Sequence, residues 1–106
     1  MEISKQYSTG TGGGVEVYCF DIASDDGIRM IGVTDDCICA YNARFTDEHI
    51  EEFTEDNELW SIDPHDEDEL RLFAGLLPNN VAVPVLQRWC LMYADALQRI
   101  VDDLSK

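Results

Sequence analysis

Residues 15–42 read Val15-Glu-Val-Tyr-Cys-Phe-Asp-Ile22, Ala-Ser24-Asp-Asp-Gly27, Ile28-Arg-Met-Ile-Gly-Val-Thr34, Asp35-Asp36 and Cys37-Ile-Cys-Ala-Tyr-Asn42. Three runs rich in β-branched and aromatic residues are separated by turn-forming residues, which predicts three strands. Ser24-Asp25-Asp26-Gly27 supplies a hairpin turn with glycine available for a positive φ. Asp35-Asp36 supplies a second, two-residue turn. Connections this short force neighbouring strands to run antiparallel, so the stretch predicts a β-meander.

Before the meander, Thr9-Gly-Thr-Gly-Gly-Gly14 closes a Gly-rich segment. Residues 1–14 are read as a flexible lead-in, and 15–106 as one α+β domain. A phosphate-binding loop is excluded here. No Gly-Lys-Ser/Thr follows the glycines, and a strand rather than a helix comes next.

Helices are expected after the meander. Thr46 is placed as an N-cap with acids in the first turn, and Phe45 opposite Ile50 forms a hydrophobic staple, for a helix running to about Asp56. Asp63-Pro64 signals a second start, as cap and first helical residue. Leu70, Phe73, Ala74 and Leu77 face inward on that helix, which stops before Pro78-Asn79-Asn80. A third helix starts near Pro84. Its apolar positions Leu86, Trp89, Cys90, Tyr93, Leu97, Ile100 and Leu104 recur at three and four. The expected fold is therefore α+β: a three-stranded antiparallel β-meander followed by three α-helices, the long C-terminal helix packed on the sheet. Trp89 and Tyr93 are expected to be largely buried.

The chain has 106 residues, 45% of them apolar, which suits a single domain with one modest core. Its 22 Asp and Glu outnumber 7 Lys and Arg, giving a formal charge of −15. Such a chain has no phosphate-neutralising surface and is repelled by an anionic membrane leaflet. No apolar run approaches 18 residues, and the N-terminus carries no basic-then-apolar signal pattern. The expectation is a soluble, cytoplasmic protein.

Four cysteines (Cys19, Cys37, Cys39, Cys90) and two histidines (His49, His65) do not form a recognisable metal signature. One Cys-x-Cys with no second pair falls short of a zinc knuckle set. The cysteines are read instead as reduced, small core hydrophobes. The stretch from Asp21 also fails the calcium-loop pattern, with its glycine one position late and no Glu at the twelfth. No nucleophile–base motif is present. The chain is read as a non-enzyme without cofactor or metal.

Acidity is concentrated. Residues 47–69 carry twelve acids and no Lys or Arg, whereas residues 70–106 carry three acids and four bases. Glu48, Glu51, Glu52 and Glu55 follow i, i+3, i+4, i+7 spacing and would form one outward stripe of mutually repelling charges. Asp47, Asp56, Glu58, Asp63, Asp66, Glu67, Asp68 and Glu69 extend the field. Carboxylates one helical turn apart are spaced by about 5–6 Å, of the order of phosphates along a strand. Trp60 is the candidate aromatic anchor, with placement in the core as its alternative.

General solubility needs a net charge of only about 2–8 for a small domain. Adaptation to high salt would spread acids over the whole surface, and residues 70–106 break that pattern. In size and acidity the chain resembles the small nucleic-acid mimics used against host defence, the anti-CRISPR and anti-restriction proteins. The resemblance is compositional. It implies an acidic inhibitor whose partner is a basic, nucleic-acid-binding effector or nuclease. An immunity protein against a basic nuclease toxin would use the same physics. A metal-binding protein and an accessory subunit are the alternatives from other classes.

Overall fold

The computed structural model describes residues 1–10, 16–24, 27–44 and 57–105. Five strands, β1 (Glu2–Gly10), β2 (Glu16–Ala23), β3 (Met30–Val33), β4 (Ile38–Tyr41) and β5 (Glu58–Ile62), precede two helices, α1 (Glu67–Leu76) and α2 (Asn79–Leu104). The strands form one antiparallel sheet in the order β1-β2-β3-β4-β5. The class is α+β, but the expected three strands and three helices are corrected to five strands and two helices among the described residues. The proposed helix from Thr46 to Asp56 lies outside them.

The expected meander is present as β2, β3 and β4, and Gly27 has the positive φ of 88° that its turn requires. Two edge strands were missed. Residues 2–10, read from sequence as part of a flexible lead-in, pair with β2 from Glu2 opposite Ala23 to Gly10 opposite Glu16. They are mostly polar, and a bulge between Ile3 and Lys5 interrupts their alternation. Ser4 Oγ donates to the Asp21 carbonyl, and Tyr7 Oη donates to Asp21 Oδ1 at 3.0 Å, fastening this strand across the pair. At the other edge, Glu58-Leu-Trp-Ser-Ile62 pairs with β4, Trp60 opposite Ala40 and Ile62 opposite Ile38.

Period-two alternation sorts each strand between two faces. Phe20, Ile22, Ile31, Val33, Ile38, Ala40 and Ile62 line the face that meets Phe73 and Leu77 of α1 and Val81, Ala82 and Val85 of α2. Cys19, Asp21, Met30 and Cys39 point the other way and are also buried. There the Tyr41 ring lies over Gly32, where an added Cβ would stand 3.3 Å from Tyr41 Cε2 and 3.4 Å from Val17.

The helix starts also differ from expectation. Asp63 does not cap α1: its Oδ1 accepts from the His65 amide and its carbonyl from the Asp66 amide, forming a turn. Asp66 is the N-cap, accepting from the amides of Asp68 and Glu69 at 2.9 and 3.3 Å. Phe73 and Leu77 face inward as expected, whereas Ala74 is exposed. α2 begins at Asn79, not near Pro84, because the Pro78 carbonyl already accepts from Val81 and Ala82. The early start brings Val81, Ala82 and Val85 onto the sheet.

Beyond Trp89 and Met92, which pack against the core's margin, α2 leaves the sheet. No helix among the described residues is long and apolar enough to cross a membrane.

Candidate functional site

Two turns and one helix meet at one end of the molecule. The β3–β4 turn is closed by the Thr34 amide donating to the Cys37 carbonyl at 2.9 Å. Thr34 Oγ1 accepts from the amides of Asp36 and Cys37, so the Asp35 and Asp36 backbone is held on both sides. The Asp35 carbonyl accepts from Trp89 Nε1 of α2 at 3.0 Å. His65, from the β5–α1 turn, places Nε2 3.1 Å from that carbonyl and 3.9 Å from Asp36 Oδ1.

The three rings form a cluster. Trp89 and Tyr93, one helical turn apart, stack with centroids 5.4 Å apart and planes 7° from parallel. His65 meets both edge-on, at 5.5 Å from Trp89 and 4.7 Å from Tyr93. His65 is exposed, whereas Trp89 and Tyr93, expected to be largely buried, are of intermediate burial and keep part of their surface open at the rim of the core. They sit at its rim because α2 departs from the sheet there. Edge-to-face and offset stacking of this kind contributes about 0.5–1.5 kcal/mol per pair beyond buried area.

Asp36 brings a carboxylate to the cluster, 3.9 Å from His65 Nε2, and further acids lie close to His65 in the chain. Asp35 and Asp36 come from one turn, Asp63 from the next, and Asp66, Glu67 and Asp68 from the start of α1. Arg71 Nη2 pairs with Glu67 Oε1 at 2.6 Å, an exposed i, i+4 contact worth only a few tenths of a kcal/mol. The nearby cation Arg88 is held 3.9 Å over the Tyr18 ring. First-turn acids also suit the helix dipole, which accounts for their local stability.

Of the acidic residues singled out from sequence, Glu58 and Glu69 are half-buried, and Asp63, Asp66, Glu67 and Asp68 are exposed. Asp47, Glu48, Glu51, Glu52, Glu55 and Asp56 lie outside the described residues. Trp60 is half-buried on β5 and meets Phe73 edge-on at 6.0 Å, packed against the core. Sequence reasoning missed Asp35 and Asp36: Asp35 is thirty residues from His65 and fifty-four from Trp89, the two side chains that meet its carbonyl. It also missed His65, Trp89 and Tyr93 as one exposed surface. The available signal was His65 between Asp63 and Asp66, next to a turn.

The cysteines are free and differ in environment. Cys19 and Cys39 are buried, Cys37 is half-buried and Cys90 is exposed on α2, which corrects the expectation of four core thiols. Cys39 Sγ lies 3.6 Å from Cys37 Sγ and 3.3 Å from Ser61 Oγ. Donation from the Cys39 thiol holds Cys37 down to about 6, opposed by burial and by Asp36 and Glu58. The same contact and burial push Cys39 up. Burial, with Asp21 nearby, pushes Cys19 up to about 12. Among the described residues no group of three or more His, Cys, Asp and Glu is placed to hold a metal ion.

The chain matches no protein-family model, no curated protein and no solved structure.

Proposed function

We propose that this protein is a small, non-catalytic inhibitor that docks its acidic end on the basic, nucleic-acid-binding surface of a partner protein in the cytoplasm. The observation that carries this reading is the braced acidic turn Asp35-Asp36 held against the stacked Trp89–Tyr93 pair and His65, with the exposed acids Asp63, Asp66, Glu67 and Asp68 flanking and following His65 in the chain. Dispersed acids attract any cation. Acids on a braced turn beside a rigid aromatic platform can instead complement one shaped surface. The carboxylates would accelerate encounter by long-range attraction, an effect that weakens as salt rises. The aromatic platform would set residence time, since aromatic side chains at a desolvated centre dominate binding energy. An effector or nuclease with a phosphate-binding cleft has the required charge.

The test is capture of basic nucleic-acid-binding proteins from a host lysate at low and high salt, followed by kinetics with the captured protein. Asp36→Asn with Asp68→Asn should slow association and flatten its salt dependence without lowering the melting temperature. Asp102→Asn with Asp103→Asn, at the far end of α2, serves as the control. Equal losses in the two pairs would mean that net charge alone drives binding. No loss in either would remove the acidic end from the interface.

A further inference from the structure

The face of the sheet turned away from α1 and α2 holds a pair of sulfurs that the acidic end does not use. Cys37 leads into β4 and Cys39 follows two residues later, so alternation places both side chains on this face. Their Sγ atoms are 3.6 Å apart, in contact and unbonded. Thr34 Oγ1 lies 3.3 Å from Cys37 Sγ, and Ser61 Oγ lies 3.3 Å from Cys39 Sγ. Cys37 is half-buried, whereas Cys39 is only 7% exposed. One sulfur is reachable and its neighbour is covered.

Neither remaining cysteine competes for the pair. Cys19 stands opposite Gly32, and Gly32 opposite Cys39, so Cys19 and Cys39 are two strands apart, about 9–10 Å. A disulfide needs Cα atoms within about 7 Å. Cys90 is exposed on α2, which packs on the opposite face of the sheet.

We propose that Cys37 and Cys39 form a thiol–disulfide exchange site, Cys37 attacking and Cys39 resolving, whose substrate is a low-molecular-weight disulfide carrying positive charge. The Cys39 thiol and the Thr34 hydroxyl both donate to Cys37 Sγ and favour its thiolate, the form that attacks. That thiolate attacks one sulfur of the substrate and forms a mixed disulfide. The expelled thiolate takes up the proton that Cys37 gave to water. Capping Cys37 removes the negative sulfur that held the proton on Cys39. Cys39 then loses its proton to water, attacks Cys37 Sγ and expels the second thiolate, which is protonated in turn. The substrate gains two electrons and leaves as two thiols. The pair loses two electrons and becomes the Cys37–Cys39 disulfide.

Charge selects the substrate. Asp36 and Glu58 act on Cys37 through their negative charge, and the whole chain carries −15. That field draws a cationic disulfide and repels an anionic one. Geometry makes the product reversible. Residues two apart on a strand have Cα atoms about 6.6 Å apart, near the upper end of the roughly 4.4–6.8 Å that disulfides span. The sulfurs must close from 3.6 Å to about 2.05 Å while β3 and β5 pair with β4 on either side. A bond made under such strain is more oxidising than a structural disulfide, and free thiol returns it to the dithiol. The exchange needs no partner at the acidic end.

The test uses Cys90→Ser protein, which lacks the exposed thiol, with cystamine as the probe. Residues 30–44 form one tryptic peptide that contains Cys37 and Cys39 and no other cysteine. After acid quenching and alkylation, the doubly alkylated peptide should give way to an unalkylated, internally bridged one. Added mercaptoethanol should restore the doubly alkylated form without denaturant. In the same background Cys39→Ser should stop at a cysteamine adduct on Cys37. Cys37→Ser should form its adduct on the covered Cys39 at least about tenfold more slowly. Cystamine should react faster than the neutral hydroxyethyl disulfide, by a ratio that falls as salt rises. A dithiol that survives excess cystamine, an adduct that is never resolved, or a bridge that free thiol leaves intact would overturn the site. Equal rates in the two serine variants would overturn Cys37 as the attacking sulfur. A rate ratio indifferent to salt would overturn the selection by charge.

Discussion

Between Asn79 and Trp89, α2 lies on the sheet. Val81, Ala82 and Val85 are buried there, and Trp89 hydrogen-bonds the Asp35 carbonyl. Between Leu91 and Leu104 the same helix continues with the same density of apolar residues, but Leu91, Leu97, Ile100, Val101 and Leu104 are exposed. A repeat at three and four therefore reports that a helix has an apolar face without reporting what covers it. The core of a small domain can cover only a few turns. The remaining turns are free to serve another surface.

The sharpest way to break this comparison is to place the same charge in both halves. Val85→Asp buries a carboxylate with no cation beside it and should cost about 3–5 kcal/mol, enough to unfold much of a domain of ordinary stability. Val101→Asp places the carboxylate in water and should change the stability of dilute protein by no more than about 0.5 kcal/mol. Urea denaturation of the two variants gives the ratio directly. Similar costs would mean that the second half of α2 is packed as firmly as the first.

Trp89 stands at the boundary between the halves, so its deletion should fall between those extremes. A fully buried Trp→Ala change costs about 3–5 kcal/mol. Here the ring is half-buried, and the change should cost about 2–3 kcal/mol. Trp89→Phe keeps most of the ring but leaves the Asp35 carbonyl without its indole donor, and should cost about 1 kcal/mol. Near-ultraviolet circular dichroism should lose the Trp–Tyr signal in both variants. A cost for Trp89→Phe equal to that of Trp89→Ala would assign the whole effect to the hydrogen bond.

The parts of this fold that were legible in the sequence are those whose signals are local and complete. β2, β3 and β4 have dense β-branched runs and short turns, and their antiparallel order followed. Phe73 and Leu77 were legible because residues four apart share one face of a helix, and that face meets the core. β1 was not legible, because Glu2–Gly10 is held by pairing and by the Tyr7–Asp21 hydrogen bond rather than by an apolar pattern. β5 was hidden because its five residues lie within an acidic run that reads as helix or loop. Asp63-Pro64 carried a true start signal displaced by three residues, since Asp63 spends its side chain on its own turn and leaves the cap to Asp66. The acidic end was half legible. Its charge on residues 63–68 was plain, whereas its contact with Asp35, Asp36, Trp89 and Tyr93 depends on the tertiary fold.

The Asp66 cap provides a smaller contrast within the acidic end. Asp66→Ala frees two amides at the start of α1 and should cost about 1 kcal/mol. Asp68→Ala removes a neighbouring charge that bonds no amide, so its effect should stay within about 0.5 kcal/mol. Thermal melts of the two variants separate capping from mere acidity. Equal losses would mean that the dipole, not the hydrogen bonds, accounts for the cap.

The smallest expected effect is on chemistry rather than on folding, and it compares Cys90 of the exposed helix with Cys37 of the sheet. In dilute, monomeric protein Cys90 should alkylate readily. Cys19 and Cys39 should react only on unfolding. Cys37 is reachable and partly ionised, so its alkylation rate should rise through pH about 6 and level off above it. The linkage has a definite sign. A thiol held down in the folded state adds stability above the ordinary thiol range, and that stability is lost as pH falls toward 6. Cys19 works oppositely: its contribution is complete below the ordinary thiol range and is lost as pH rises toward about 12. Cys39→Ser keeps a donor beside Cys37, a hydroxyl of shorter reach, and Cys39→Ala removes the donor altogether. The alanine variant should therefore shift the Cys37 profile to higher pH by more than the serine variant does. An unshifted profile in the alanine variant would show that the sulfur pair does not set the reactivity of Cys37.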